Sequence, residues 1–283
     1  MPAGSLTLLC AKKGTFMSSR LHVTLVVALI SCFPHLEAIQ PTPLVAATNS
    51  YVLASSANVP GQFGATFKTR VVLVNPNPSA MRIQISAATP SGPLPPQVVD
   101  LAPGEVRVST NLLDDVFQYT GGAALLFQTD PNSIDSLAPF LLTAEVYVEG
   151  TSGRFSTPLQ LLGPADRVAS SEDVGFSLSP GVVIDANNRA NIGCANFDAS
   201  PAVITATLTA GATTLWSHAF SLQSQQWQQI SVGLSGAPSG STVSFRSSGP
   251  TQSLYCYAVN VNNGSNDGTQ IPAIYVVPLP GGN

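Results

Sequence analysis

The sequence is poor in charge, in histidine and in long apolar runs, and each shortage removes a class of function. Charged residues make up 9% of the chain, against roughly 25% in an average soluble domain, so Ser, Thr, Asn and Gln must solvate most of the surface. Beyond residue 38 there is one lysine, Lys68, and seven arginines against fourteen acids, a net charge of −6. No run of Lys or Arg exists to grip phosphates or anionic lipid, which makes nucleic acid a poor partner. Of three histidines only His218 lies beyond residue 38. That excludes H-E-x-x-H and three-histidine metal sites, and leaves any Ser-His-Asp arrangement a single candidate base. In "TLWSHAFSL" the alternation puts His218 on one face with Trp216, Phe220 and Leu222, the position of a core-edge histidine. The glycine spacing excludes G-x-S-x-G, G-x-G-x-x-G and the P-loop, so nucleotide binding and α/β-hydrolase chemistry have no support. No enzyme activity, no cofactor and no metal is expected.

The apolar segment 21–33 is followed by Pro34 and preceded by Arg20, with Lys12 and Lys13 further back. This is the pattern of a secretory signal peptide over residues 1–38, and it falls short of the ~20 residues that a membrane span needs. Met17 is a second candidate start, because "MSSR" makes a compact basic leader. Two cleavage readings compete. Ala38 supplies the small residue that the ordinary signal peptidase wants, while "LISC" resembles the bacterial lipobox and makes Cys32 the candidate lipidated first residue. Otherwise Cys32 is an apolar-region residue that is discarded. The expected destination is outside the cytoplasm: extracellular, periplasmic or at the cell surface.

What the chain does have is a duplication. "VVLVNPNPSAMRIQISAAT" (71–89) and "IGCANFDASPAVITATLTA" (192–210) share an outline at an offset of 121, which also aligns Leu101 with Leu222. Further on the offset falls to 118 and then 114, so that two short deletions in the second copy account for the whole alignment. The implied organisation is a linker at 39–49, a first domain at 50–163, a linker at 164–173 and a second domain at 174–283. Mean hydropathy of +0.25 allows each domain its own buried core. In both copies, short alternating segments rich in Val, Ile, Thr and Phe are punctuated by Gly and Pro, 23 of each, which reads as strands. In the first copy these are 51–59, 69–75, 80–88, 96–101, 105–110, 122–129, 140–149 and 155–161, with one helical turn at 110–117. The Asn75-Pro76-Asn77-Pro78 bend stops a strand, and "APGE" at 102–105 suits a type II turn with Gly104 at positive φ. The expected fold class is all-β, two tandem antiparallel Ig-like β-sandwiches.

A strand ending in Asn, a following apolar strand, "LAPGE", and a closing Asp267, Gly268, Ile271, Pro272 and Ala273 resemble a group of bacterial secreted proteins with tandem Ig-like sandwiches. The resemblance covers nearly the whole mature chain. It implies fold and export, and no established activity comes with it.

Cys194 and Cys256 lie mid-strand in the second copy, where the first has Leu73 and Leu142. Leucine at the equivalent sites argues that both point into the core. In an oxidising compartment they are a candidate disulfide, the alternative being two buried thiols filling leucine-sized space. Their spacing is like that of the immunoglobulin inter-sheet bridge, but Leu254 stands where the tyrosine corner would be and Trp216 lies too far downstream. No C-x-x-C pair or nearby histidine completes a zinc shell. If Cys256 points inward, Tyr255 and Tyr257 share the outward face. With Trp227 they could form a stacking platform for sugar rings. The competing reading is that they cover Gly193 and Ala195 on a neighbouring strand, or bury against the other domain. Asp114, Asp115, Glu145 and Glu149 read as solvated carboxylates. The loop 260–268 could hold calcium through Asn262, Asn266 and Asp267, but it lacks the acid count of a good site and a tight hairpin turn is the favoured reading. The function expected is a non-enzymatic exported protein with a structural, adhesive or assembly role and a protein or glycan partner; the alternative is a carbohydrate-binding module on the aromatic platform.

Overall fold

Alternating β-branched and small polar residues, interrupted by Gly, Pro or Asx turns, fold into strands from Ser50 to Val276. The computed structural model describes residues 47–61, 65–133, 136–150, 153–173, 175–250, 253–264 and 268–277. The segment read as a signal peptide, with Met17, Cys32 and Ala38, most of the stretch 39–49 read as a linker, and Asn266 and Asp267 lie outside these residues. The described residues belong to one compact unit, Val45–Asn283. Its first half contains β1 (Ser50–Pro60), β2 (Thr66–Val74), β3 (Met81–Thr89), β4 (Gly92–Leu101), β5 (Val106–Ser109), α1 (Leu112–Phe117), β6 (Gly121–Thr129), β7 (Leu141–Gly150) and β8 (Gly153–Pro158). The second half contains β9 (Phe176–Ile184), β10 (Asn188–Asn196), β11 (Ala202–Ala210), β12 (Thr213–Leu222), β13 (Gln226–Ser231), β14 (Ala237–Ser247), β15 (Leu254–Asn262), β16 (Gly268–Pro272) and β17 (Ile274–Val276).

The pairings repeat between halves. β2 lies between β5 and β7 as β10 lies between β13 and β15; β3 lies between β4 and β6 as β11 lies between β12 and β14; β1 flanks β6 as β9 flanks β14. All of these pairs are antiparallel. The all-β expectation stands, but the Ig-like arrangement needs correcting in detail. In an immunoglobulin constant-type sandwich the first strand lies beside the second and the seventh beside the sixth. Here the first strand of each half pairs with the sixth, and the seventh with the second, so the terminal strands have exchanged sheets. The halves are not fully separate either. A single parallel bridge, Gln226 to Thr89, joins them into one twelve-stranded sheet in the order β16-β15-β10-β13-β3-β6-β1-β2-β7-β8, with β4 and β5 attached; the other sheet is β12-β11-β14-β9-β17. In the first half β1 bulges between Leu53 and Ser56 and then pairs with β2 as well as β6, so its two layers join into a nearly closed barrel.

β4 starts four residues before the expected 96, because Pro93, Pro95 and Pro96 sit on a sheet edge, where a missing N–H breaks no ladder. The duplicated outline of the sequence corresponds to a buried asparagine knot. Asn75 Nδ2 donates to the carbonyls of Ser79 (2.9 Å) and Ala102 (3.0 Å), and its Oδ1 accepts from the Asn77 N–H (2.9 Å). Asn196 does the same 121 residues later with Ser200 (2.9 Å), Gln223 (3.0 Å) and Asp198 (2.8 Å). Each knot ties a strand end to a turn: Gly104, at φ +69°, and its counterpart Gln225, at φ +52°, both take the left-handed region.

Each half has its own core. Leu53, Leu73, Ile83, Ile85, Leu125, Phe127 and Leu142 fill the first, closed at one end by Leu112 and Leu113 of α1. Ile192, Ile204, Leu208, Phe220, Phe245, Leu254 and the two cysteines fill the second. The segment read as the linker 164–173 is built into the second half. Val168 and Ala169 are fully buried, the Val168 N–H donates to Leu254 O (2.7 Å), and Ala169 O accepts from Ser247 N–H (2.9 Å). The chain therefore passes between halves without a flexible spacer.

Candidate functional site: a buried aromatic seam and a terminal groove

Alternation along β10 and β15 sends successive side chains to opposite faces, and in this protein both faces are covered. Cys194 and Cys256 stand directly opposite each other on these two strands with their Sγ atoms bonded. The bridge is therefore within one sheet, between neighbouring strands, and not the inter-sheet bridge that the spacing suggested. It occupies the place of the Leu73–Leu142 pair on β2 and β7, facing the second core.

The opposite face carries Tyr255 and Tyr257, with Trp227 from β13. Their side chains are not a solvent-facing platform. Tyr257 is 0% exposed, Tyr255 4% and Trp227 7%. They form a third cluster with Val52 and Ala54 of β1, Ala88 of β3, Ala124 of β6 and Leu162. This is a seam between the halves, large rings from the second against alanines from the first. Buried to this degree, the rings present no face for a sugar to stack on. Two glycines make the fit. A Cβ on Gly122 of β6 would lie 2.7 Å from the Trp227 ring, and one on Gly193 of β10 would overlap the Tyr257 ring. Polar ends are satisfied inside the seam: Trp227 Nε1 donates to Tyr257 Oη (3.1 Å), whose hydroxyl donates to Gln229 Oε1 (2.8 Å). Burial pushes the Tyr257 phenol well above the usual range, against opposing hydrogen bonds from Trp227 and Ser55, and burial pushes Tyr255 up to about 12. Both rings stay neutral and act as packing groups. At the rim, Gln226 Nε2 donates to Pro90 O (2.7 Å) beside the parallel bridge.

Compared with protein-family models, curated proteins and solved structures, the chain matches none.

A groove of about 770 Å³ opens at the loop end of the second half, lined by Arg167, Asp198, Ser200, Ser221, Gln223 and Ser248 among others. Arg167 faces it but is held by Asp173 through two hydrogen bonds, 2.9 and 3.1 Å. That guanidinium, with the Ser170 N–H, keeps the Asp173 carboxyl far below the usual range. The lining offers hydroxyls and amides, suited to weak polar contact. His218 is outside the groove. It shares its face with Trp216 and Phe220 as expected, stacked on the first (5.8 Å, 14°) and edge-on to the second (4.9 Å, 79°), but the imidazole itself is exposed at the sandwich margin. Asp114 and Asp115 lie in the first turn of α1, and Glu145 pairs with Arg70 (3.2 Å). Among the described residues no group of three or more His, Cys, Asp or Glu is placed to hold a metal ion, and no helix is long and apolar enough to cross a membrane.

The sequence reading missed Gly122 and the Trp227–Tyr257–Gln229 chain. A glycine inside a strand was the available signal, since it marks close approach of another group.

Proposed function

We propose that the protein is an exported, non-enzymatic β-sandwich protein with a structural, adhesive or assembly role outside the cytoplasm. The observation that carries this reading is the seam. Trp227, Tyr255 and Tyr257 of the second half pack against the first and join the halves in one unit, and no spacer permits them to reorient. A rigid double module is what a spacer or display element requires, whereas a catalytic or sugar-binding protein keeps reactive or aromatic groups accessible. The Cys194–Cys256 bond fits an oxidising compartment, and the turn signals that resemble secreted bacterial tandem sandwiches point the same way. The carbohydrate reading loses its stacking faces with the burial of Tyr255, Tyr257 and Trp227.

The test is to express the full chain in a bacterial host, fractionate the cells and read the N-terminus by mass spectrometry. A mature protein outside the cytoplasm, beginning at Ile39 or at a lipidated Cys32, supports the reading. A chain that retains Met1 in the cytoplasm overturns it. On a glycan array the wild type and a Tyr257→Ala variant should both stay blank; binding that only the wild type shows would restore the carbohydrate function.

A further inference from the structure

We propose that β12 is an open sheet edge through which two copies of this chain pair, antiparallel, about a two-fold axis at Ser217. This goes beyond the structural reading above and stands on a contrast between the halves. The equivalent strand of the first half, β4, is also a sheet edge. It carries Pro93, Pro95 and Pro96 and the charged Asp100, which pairs with Arg82 at 3.2 Å. Prolines and charges on an edge block the addition of another strand. At the aligned positions β12 has Thr214, Trp216, Ser217 and Ser221, with no proline and no carboxylate, lysine or arginine in its ten residues. The unit was copied, and one copy has its edge sealed by proline and charge while the other carries neither, its one irregularity being a bulge at Leu215.

The partner follows from what remains. The outer side of β12 is unpaired among the described residues. Among the described residues the other free edges are β4, blocked, the shorter β5, β8, β16 and β17, and the part of the short β13 beyond its single bridge at Gln226. A second copy therefore has one long unblocked edge to offer, its own β12, and an uncharged strand meets itself without like-charge repulsion. Centring the pair on Ser217 sets Trp216 of one copy opposite His218 of the other, twice. The cross-pair would extend the Trp216–His218 stack already present within the chain and cover the exposed imidazole. The two five-stranded sheets would continue as one, and because the contact is isologous it closes at the dimer.

Sedimentation equilibrium of the purified exported protein across the micromolar range should give twice the chain mass. Ser217→Lys, and independently Ala219→Lys, should each return it to a monomer that still unfolds cooperatively, with a melting midpoint equal to that of the wild type diluted until it is monomeric, since both side chains are exposed. Ser217→Cys should form an intermolecular disulfide on non-reducing gels, being opposite itself in this register, whereas Ala219→Cys should not. A wild type that stays monomeric at every concentration overturns the proposal. So does a dimer that survives both lysines, equal cross-linking at 217 and 219, or a mixed complex with an unrelated strand in place of the self-pair.

Discussion

The same sheet occurs twice in this molecule and meets two different environments. On its outer face in the first half, β2, β5 and β7 present Val72, Val106, Thr143 and the Arg70–Glu145 ion pair, with Val106 59% exposed. In the second half the aligned positions are Gly193, Trp227, Tyr257, Asn191 and Val259, and the face is buried in the seam. The receiving face has diverged in the complementary sense. Ala88 and Ala124, which accept the rings, align with Thr209 and Thr242 on the far side of the second half. Two copies of one fold were thus made into a left and a right piece by changing a few outward side chains. The asparagine knots and the main antiparallel pairings stayed the same.

The largest expected break of this contrast is Tyr257→Ala. It empties a fully buried ring site and leaves the Trp227 N–H without its acceptor, for a loss of about 4 kcal/mol in chemical denaturation. Thr143→Ala, at the aligned but exposed site, should change stability by less than about 0.5 kcal/mol. Next is the replacement of both Cys194 and Cys256 by Leu, which imports the first half's pair. The lost constraint on a 62-residue separation should cost about 3 kcal/mol after the leucines refill the core, read as a lower melting midpoint that reducing agent no longer shifts.

A pH titration comes third. Tyr255 and Tyr257 have raised folded pKa values, so the stability they lend is complete below the unfolded value near ~10 and is lost as pH rises through the folded one. For Tyr255 that is about 12. Alkaline unfolding should therefore steepen above pH ~10 by roughly 2 kcal/mol, and Tyr255→Phe should flatten that limb of the curve. Gln226→Glu, which restores the first half's Glu105 at the rim, removes the donor to Pro90 O and should lower stability by about 1 kcal/mol, measured by urea midpoint. The smallest effect runs the other way. Gln225→Gly gives the second half the glycine that the first half has at Gly104, relieving a left-handed φ, and should stabilise by about 0.5 kcal/mol.

Local chemistry made much of the fold legible. The 121-residue register predicted paired strands, and it extends to individual hydrogen-bond partners, since Ser79, Asn77 and Ala102 around Asn75 become Ser200, Asp198 and Gln223 around Asn196. Alternation likewise put Cys194 and Cys256 on one face and both tyrosines on the other. Sheet membership was not legible. Whether β9 joins β14 or β10 depends on long-range pairing, and its alternating pattern is satisfied either way. For Tyr255 and Tyr257 two readings stayed open, a sugar platform or burial over Gly193 and against the other half, for a related reason: a strand's sequence states which residues share a face and is silent about what covers it. Trp227 and Gly122 lie on different halves, so no local window contains both members of the contact.

The Cys194–Cys256 bond has a mechanical consequence for a chain held at its two ends. The intervening 62-residue separation cannot lengthen under tension, which removes about 200 Å from the reach of the stretched polypeptide at ~3.4 Å per residue. A tether built from this protein would yield in its first half and keep β10 and β15 covalently clamped, so that loading could unravel one module while the other held its strands together.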